Sequence, residues 1–504
     1  MKIQEGVLRD GEKNERTVKS REFLKKSYTN RGKHDIIVNV ILCVLLGERG
    51  AEPVRKFLRS LGLASVLAGA VLLSGCSLPK LSLNSEDLYS LPTLPVKYTE
   101  LNTQLNAILD SGAEYAAPTS GANIQPVQLV DLDGDGREEA VAFFRNPAEE
   151  KPLKIYIYAA EEDSYRQSAL IEGTGTGIYS IAYTDLDSDG YMELLVGWKA
   201  TAELQVLEVY SPRPDGLATL VRSDYVKYTT ADLDRDGRQG LVVFHADGEG
   251  DGVADYYSWQ EDGSLTSQSS ARLSITMAEL NQQGRVSLGT LQEDVPALFV
   301  TGVTDIPRAV TDILAVRNGE LTNIVLSDLT GVSGEIAPYC SLYPTDINGD
   351  GVTEVPSPIQ IHSTLDEGLS YQRVDWYAYD RKGQSSVALH TYHDLEDGWY
   401  LRLPETWLSR VWISRSAAAD EAAVTFYILG SGEMEPFLRI TAITGSDQES
   451  RAVRGGRFLL GRQSEAIYTG ELLEGNTGWQ YGVTADEVRA AFTLIASEWS
   501  AGDY

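Results

Sequence analysis

Four short segments place oxygen-bearing side chains at alternate positions: DLDGDGREE from Asp131, DLDSDGYME from Asp185, DLDRDGRQG from Asp232 and DINGDGVTE from Asp346. A hard cation such as Ca²⁺ takes roughly six to eight oxygen ligands at about 2.3–2.6 Å. Side chains at positions one, three and five of a tight loop can converge on one point. Glycine at six permits the sharp turn, position seven offers its backbone carbonyl, and a carboxylate at nine closes the shell. The first segment supplies Asp131, Asp133, Asp135, the Arg137 carbonyl and Glu139. The second supplies Asp185, Asp187, Asp189, the Tyr191 carbonyl and Glu193. The fourth supplies Asp346, Asn348, Asp350, the Val352 carbonyl and Glu354. The third has Asp232, Asp234, Asp236 and the Arg238 carbonyl, but position nine is Gly240, so weak or no occupancy is expected there. About three calcium sites, or four with the weak one, is the expectation.

An EF-hand would need a bidentate Glu at position twelve and flanking helices. The twelfth positions are Ala142, Val196, Val243 and Ser357, inside strand-like runs, which excludes it. A further acidic run, Asp247 to Asp255, falls where the other copies have a hairpin and reads as a turn. The apolar residue at position two (Leu132, Leu186, Leu233, Ile347) is expected to point inward and anchor each loop.

The loops need strands on both sides. In the first copy Gln125–Leu132 leads in, Glu139–Phe144 follows the loop, and Leu153–Ala159 and Tyr165–Ile171 complete a set of four. In the second and third copies Leu204–Tyr210 and Val253–Trp259 take the third place. The first Asp positions lie 54, 47 and 114 residues apart, and the last gap is twice 57. A copy that kept its fold and lost its ion is therefore expected near 286–300 (VSLGTLQEDVPALFV). Four short antiparallel strands per unit of about 50 residues is the arithmetic of a β-propeller blade. An all-β propeller of about six blades, within a range of five to seven, is the expected fold.

Strand–DxDxDGxxE–strand units at this period resemble the FG-GAP/VCBS repeats of integrin α-subunits and many bacterial surface proteins. The literal Phe-Gly…Gly-Ala-Pro signature is absent, so the resemblance is to the FG-GAP-like bacterial branch, over residues 120–390. It implies a propeller whose loops hold Ca²⁺ for structure, in proteins that serve adhesion, ligand binding or accessory roles.

The chain has 504 residues and a formal net charge of −30, carried unevenly. Residues 1–75 carry 14 Lys/Arg and 8 Asp/Glu, and the remainder 29 and 65. So acidic a body argues against nucleic acid as a partner. The break coincides with Arg55, Lys56 and Arg59, an apolar run from Leu61 to Leu73, and Ser74-Gly75-Cys76. A basic region, a short apolar run and small residues before a cut read as a secretory signal. With Cys next, it resembles the lipobox of bacterial lipoproteins, which implies a lipid on Cys76 and a place on the extracytoplasmic side of a bacterial membrane. Residues 1–53 lie upstream of that signal and are expected to be a mis-assigned start. Residues 76–97 read as a tether, 98–119 as a lead-in helix and loop, and 391–504 as a divergent β blade or small β domain with a terminal helix over 485–497, N-capped by Asp486.

No nucleophile elbow, zinc-protease helix or phosphate loop occurs. His390 and His393 are three apart, on opposite faces of a strand, and make a poor metal pair. Cys340 reads as a small buried hydrophobe in a first strand. Trp376, Trp399, Trp407 and Trp412 cluster in sequence, as core or as a sugar-stacking platform. The expected role is a membrane-anchored, calcium-binding interaction module without catalysis, whose partner is an envelope or extracellular protein or a glycan. The alternative is a propeller-based lyase or hydrolase, or an accessory glycan-binding protein.

Overall fold

The computed structural model describes residues 96–162, 164–304, 306, 308–327, 329–362, 370–430 and 432–495. Residues 1–95, with Cys76 and the signal-like run, lie outside the described residues. No helix among the described residues is long and apolar enough to cross a membrane.

The described chain is nearly all β, with 28 strands in six antiparallel sheets taken in sequence order. The first sheet holds Val127–Val130, Glu139–Arg145, Leu153–Ala160 and Tyr165–Gly173, with the short strand Glu114–Tyr115 on the other end of Glu139–Arg145. The second runs Gly177–Thr184, Glu193–Lys199, Gln205–Arg213, Gly216–Tyr225, and the third Lys227–Ala231, Gly240–Ala246, Gly252–Trp259, Leu265–Arg272. The fourth is the expected ion-free copy: Arg285–Leu291 and Val295–Val303 joined by the tight turn Gln292–Asp294, then Arg308–Arg317 and Glu320–Asn323. The four main strands of each of these four sheets zigzag in sequence order, as in a propeller blade.

Strand Glu139–Arg145 shows why such sheets stack. It is buried on both faces until its last residue, and side chains alternate between faces. Val141 and Phe143 pack with Ile178, Ile181 and Trp198 of the second sheet. Ala140, Ala142 and Phe144 pack with Leu101 and Leu105 of helix α1, Val96–Asp110. The same sharing recurs down the chain. Leu195 and Leu207 meet Leu241 and Val243, Phe244 meets Leu298 and Leu314, and Phe299 meets Val355 and Tyr379. Each buried side chain of this size contributes about 1.5–3 kcal/mol over leaving it exposed. The sheets are therefore held mainly by one another.

The last third departs from expectation. The fifth sheet orders Val355–His362, Ser370–Tyr379, Ser385–Asp394, Trp399–Arg402 and Phe492–Leu494. Its first strand, foreseen ahead of Asp346, is reduced to a single bridge, Thr345 to Glu354. Cys340 lies outside any strand, with its thiol pushed up to about 11 by burial. The division placed at 390/391 falls inside Ser385–Asp394. The sixth sheet, Val411–Ala418, Glu421–Leu429, Met434–Ile443, Ile467–Leu472 and Phe458–Arg462, packs Phe426 and Leu438 against Trp399 and Leu401 of the fifth.

The terminal helix spans only Ala485–Ala491. Its N-cap is Thr484 rather than Asp486, because Thr484 and Glu487 close a reciprocal capping box that Asp486 is out of register to make. Phe492–Leu494 leaves the helix to pair with Trp399–Leu401. Aromatic and β-branched residues favour such an edge, and Phe492 stacks on Trp399 with ring centroids 5.6 Å apart.

Candidate metal centre

The first three acidic loops each join the first two strands of their sheet, and the fourth is closed by the Thr345–Glu354 bridge ahead of Val355–His362. Nine residues in a loop this tight leave several amides without ladder partners, and the acids accept from them. Position one takes the amides of positions four to six: Asp131 accepts from Gly134 (2.8 Å) and Gly136 (3.0 Å), and Asp346 from Gly349 (2.7 Å) and Gly351 (2.8 Å). Position five takes the amide of position seven, from Asp135 to Arg137 (2.8 Å), Asp189 to Tyr191 (2.9 Å), Asp236 to Arg238 (2.8 Å) and Asp350 to Val352 (2.8 Å). Position six is left-handed in all four loops, with φ of 85°, 95°, 89° and 87°. So is position four, where Ser188 and Arg235 adopt a conformation that normally favours glycine.

Position nine turns inward. Glu139, Glu193 and Glu354 are buried, and one oxygen of each accepts the amide of position two: Leu132 (2.9 Å), Leu186 (2.9 Å) and Ile347 (3.1 Å). Burial pushes all three carboxyls above their ordinary range, Glu354 to about 7. The apolar residue at position two is buried in every loop, as its pattern required.

The loops are also tied to one another. The carbonyl at position two of one loop accepts the amide at position eight of the next, Leu132 from Met192 (2.8 Å) and Leu186 from Gln239 (2.7 Å). Thr290 of the ion-free copy accepts from Thr353 in the same manner (2.8 Å). Ser188 donates to the Gly237 carbonyl (3.0 Å), and Arg235 pairs with Asp294 (2.9 Å).

Convergence differs between loops. Ligand oxygens of Asp131, Asp133 and Glu139 lie within 4.8 Å of one another, as do those of Asp185, Asp187 and Glu193, and those of Asp232, Asp234 and Asp236. Asp135 and Asp189 stand outside their clusters. Asp135 is engaged by the Arg137 guanidinium (Nε to Oδ2 2.8 Å), which holds its carboxyl below the usual range. The third loop, foreseen as weak, gathers three acids. The Tyr256 ring occupies the space beside Gly240, and its hydroxyl donates to Asp234 (3.0 Å). In the fourth loop Asn348 turns its amide nitrogen on Asp350 (3.0 Å) and Glu354 (3.1 Å), and its oxygen accepts the Asp350 amide (2.8 Å). Three acids do not converge there.

A divalent cation fits the first three loops. The donors are all oxygen, and Asp187 Oδ1 and Asp232 Oδ1 are buried without a hydrogen-bond partner. Such an orphaned anionic oxygen is costly unless a cation meets it. Asp131, Asp133 and Glu139 in the first loop, Asp185, Asp187 and Glu193 in the second, and Asp232, Asp234 and Asp236 in the third would hold the ion.

One shared feature escaped the sequence reading. The residue after position nine pairs across the sheet with a tyrosine in four copies: Ala140 with Tyr158, Leu194 with Tyr210, Leu241 with Tyr257, Val355 with Tyr377. Each tyrosine follows a register shift on its other side, and the sixth sheet repeats this at Phe426/Tyr427. The recurrence of Tyr158, Tyr210, Tyr257 and Tyr377 at 19, 17, 17 and 23 residues past position nine was the available signal. It marks the sixth sheet as a repeat that lacks the loop.

The other candidates resolve simply. Asp247 accepts from the amides of Glu249 and Asp251 (2.9 Å each) in a hairpin turn. His390 pairs with Asp375 (2.6 Å), while His393 lies between the Trp376 and Tyr400 rings, its pKa lowered to about 3 by burial. Trp376, Trp399 and Trp407 are buried in the core and offer no stacking platform.

Residues 131–196 match the FG-GAP-like repeat family. This span covers the first two loops and the strands between them. No curated protein matches the chain. Among solved structures it is similar to a protein from Lactobacillus plantarum (12% identity, 64% of this chain and 85% of that one, TM-score 0.22). It is also similar to a hypothetical protein from Leishmania major (13% identity, 55% and 89%, TM-score 0.20). A third is a quinohemoprotein alcohol dehydrogenase from Pseudomonas putida (12% identity, 64% and 56%, TM-score 0.20). TM-scores this low carry no argument about fold or activity.

Proposed function

We propose that this chain is a calcium-stabilised, propeller-like interaction module, anchored by a lipid on Cys76 to the extracytoplasmic side of a bacterial membrane. The observation that carries the calcium reading is the pair of buried, unpartnered oxygens, Asp187 Oδ1 and Asp232 Oδ1, in loops that otherwise satisfy every acid. The FG-GAP-like repeat supports an interaction role, as does a site whose acids are spent on loop amides rather than held open for substrate. Its partner is an envelope or extracellular protein or a glycan.

Calcium would bind at roughly 10⁻⁴–10⁻³ M, the range of extracellular modules. Calorimetric titration of the mature chain tests the ion, with Asp131→Asn as the variant that removes one site. Metabolic labelling with a fatty-acid probe tests the anchor, and a Cys76→Ser chain that still takes label would refute it. Affinity capture from envelope extracts with and without Ca²⁺ tests the interaction role.

A further inference from the structure

The second loop contains a cation of its own. Arg213, the last residue of the third strand of that sheet, sends Nη2 to within 3.0 Å of Glu193 Oε1, 3.0 Å of Asp189 Oδ2 and 3.5 Å of Asp187 Oδ2. Its guanidinium also lies over the Tyr191 ring, 4.8 Å from the centroid. Glu193 is fully buried and also accepts from Ser211 Oγ (3.0 Å). One guanidinium thus engages positions three, five and nine of the loop, two of which belong to the convergent cluster.

The register shows that a guanidinium reaching the cluster from the third strand is peculiar to the second loop; in the third loop Arg238, from the loop itself, holds Asp236 alone (2.8 Å). Arg213 stands three residues past Tyr210, which pairs with the residue after position nine. The same count from Tyr158, Tyr257 and Tyr377 gives Glu161, Gln260 and Asp380. Glu161 pairs with Arg166 (3.0 Å), and Asp380 accepts the amides of Lys382 (2.8 Å) and Gln384 (2.9 Å) in its own turn. None of these brings positive charge to its loop. In the first loop the nearest guanidinium, Arg137, engages Asp135 and leaves Asp131, Asp133 and Glu139 to one another.

We infer that Arg213 is a built-in counter-ion of the second loop, which competes with a divalent cation for the same carboxylates and keeps the loop in shape when that cation is scarce. The inference rests on the calcium reading and refines it, because it makes the first and second loops unequal. The first has no such counter-ion on its cluster. The second carries a substitute and takes the ion only as Arg213 withdraws. Guanidinium satisfies carboxylates through directed N–H donors, while Ca²⁺ gathers oxygens isotropically, so the two compete for Glu193 Oε1, whose partner oxygen is already held by the Leu186 amide.

The test is calcium titration calorimetry together with melting in chelator, on the mature chain, for wild type, Arg213→Gln, Arg213→Lys and Glu161→Arg. Arg213→Gln is expected to tighten one calcium site about tenfold and to lower the melting temperature in chelator, with the loss recovered on adding Ca²⁺. Arg213→Lys, which keeps the charge, is expected to fall between wild type and Arg213→Gln. Glu161→Arg is expected to weaken the site that Asp131→Asn abolishes. If wild type binds calcium at the Asp131 site but Arg213→Gln neither tightens a second site nor melts lower in chelator, the inference is overturned and the calcium reading stands. If no variant binds calcium, both are overturned.

Discussion

The second and fourth sheets share a strand order and a neighbour-to-neighbour packing but differ in one turn. The fourth passes from its first strand to its second through three residues, Gln292–Asp294, with Glu293 and Asp294 in left-handed conformations. The second uses the loop from Asp185 to Met192. Both hairpins form, so the acidic loop is not what makes a blade. The long loop creates unpaired amides and its carboxylates satisfy them. The acids are a consequence of the loop, and the proposed ion would be a consequence of the acids.

This contrast is open to attack at several points. The largest effect at any one site is expected from Glu193→Ala, which strips the Leu186 amide and Ser211 of their acceptor at a fully buried site. An unsatisfied buried donor costs about 1–3 kcal/mol, and lost packing adds to it, so chemical denaturation should show a deficit near the top of that range in calcium and in chelator alike. A deficit seen only in calcium would mean that Glu193 serves the ion alone.

Excess chelator comes next. With Kd of about 10⁻⁴–10⁻³ M, removing 10 mM Ca²⁺ costs about 1.4–2.7 kcal/mol per site. The melting temperature should fall, and a chain whose melting is indifferent to chelator would break the comparison outright. A similar loss of about 1–3 kcal/mol is expected from Gly240→Ala, because a Cβ there would sit 2.6 Å from the Tyr256 ring. The third loop therefore cannot regain its missing acid by a single Gly240→Glu substitution, and differential scanning fluorimetry of both variants checks this.

The pH dependence should be more modest. Glu354 titrates near 7 in the ion-free fold against about 4.5 when unfolded, so the folded state holds its proton over that interval. In chelator its contribution is complete below about pH 4.5 and is lost as pH rises through about 7. Glu354→Gln should flatten that part of a melting-temperature profile. The smallest effect belongs to the short turn. Glu293→Gly removes a left-handed side chain (φ 62°) and should raise stability by up to about 1 kcal/mol.

The sequence made the repeat legible because alternate acids ahead of a glycine have few other uses, and the lost-ion copy followed from spacing alone. How far the acids of each loop converge, and what else engages them, was not legible. It turns on which way Asn348 faces, on the Tyr256 ring beside Gly240, and on Arg213, which lies twenty residues past Glu193 and meets it only across the sheet. The division near residue 390 failed for a related reason. Phe492, Thr493 and Leu494 continue a helical apolar spacing, yet an open strand edge at Trp399–Leu401 gave them a better partner.

That strand has a consequence in time. The fifth sheet is completed by the last strand of the described chain, and the whole sixth sheet lies between its final two strands in sequence. At synthesis rates of about 5–20 residues per second, Trp399–Arg402 waits on the order of ten seconds for its partner. During that interval Trp399 lacks the ring of Phe492 that later stacks on it. A chain emerging from its N-terminus would finish the ion loops early and this seam last, which makes the seam the place where a holding chaperone or a premature stop would be felt.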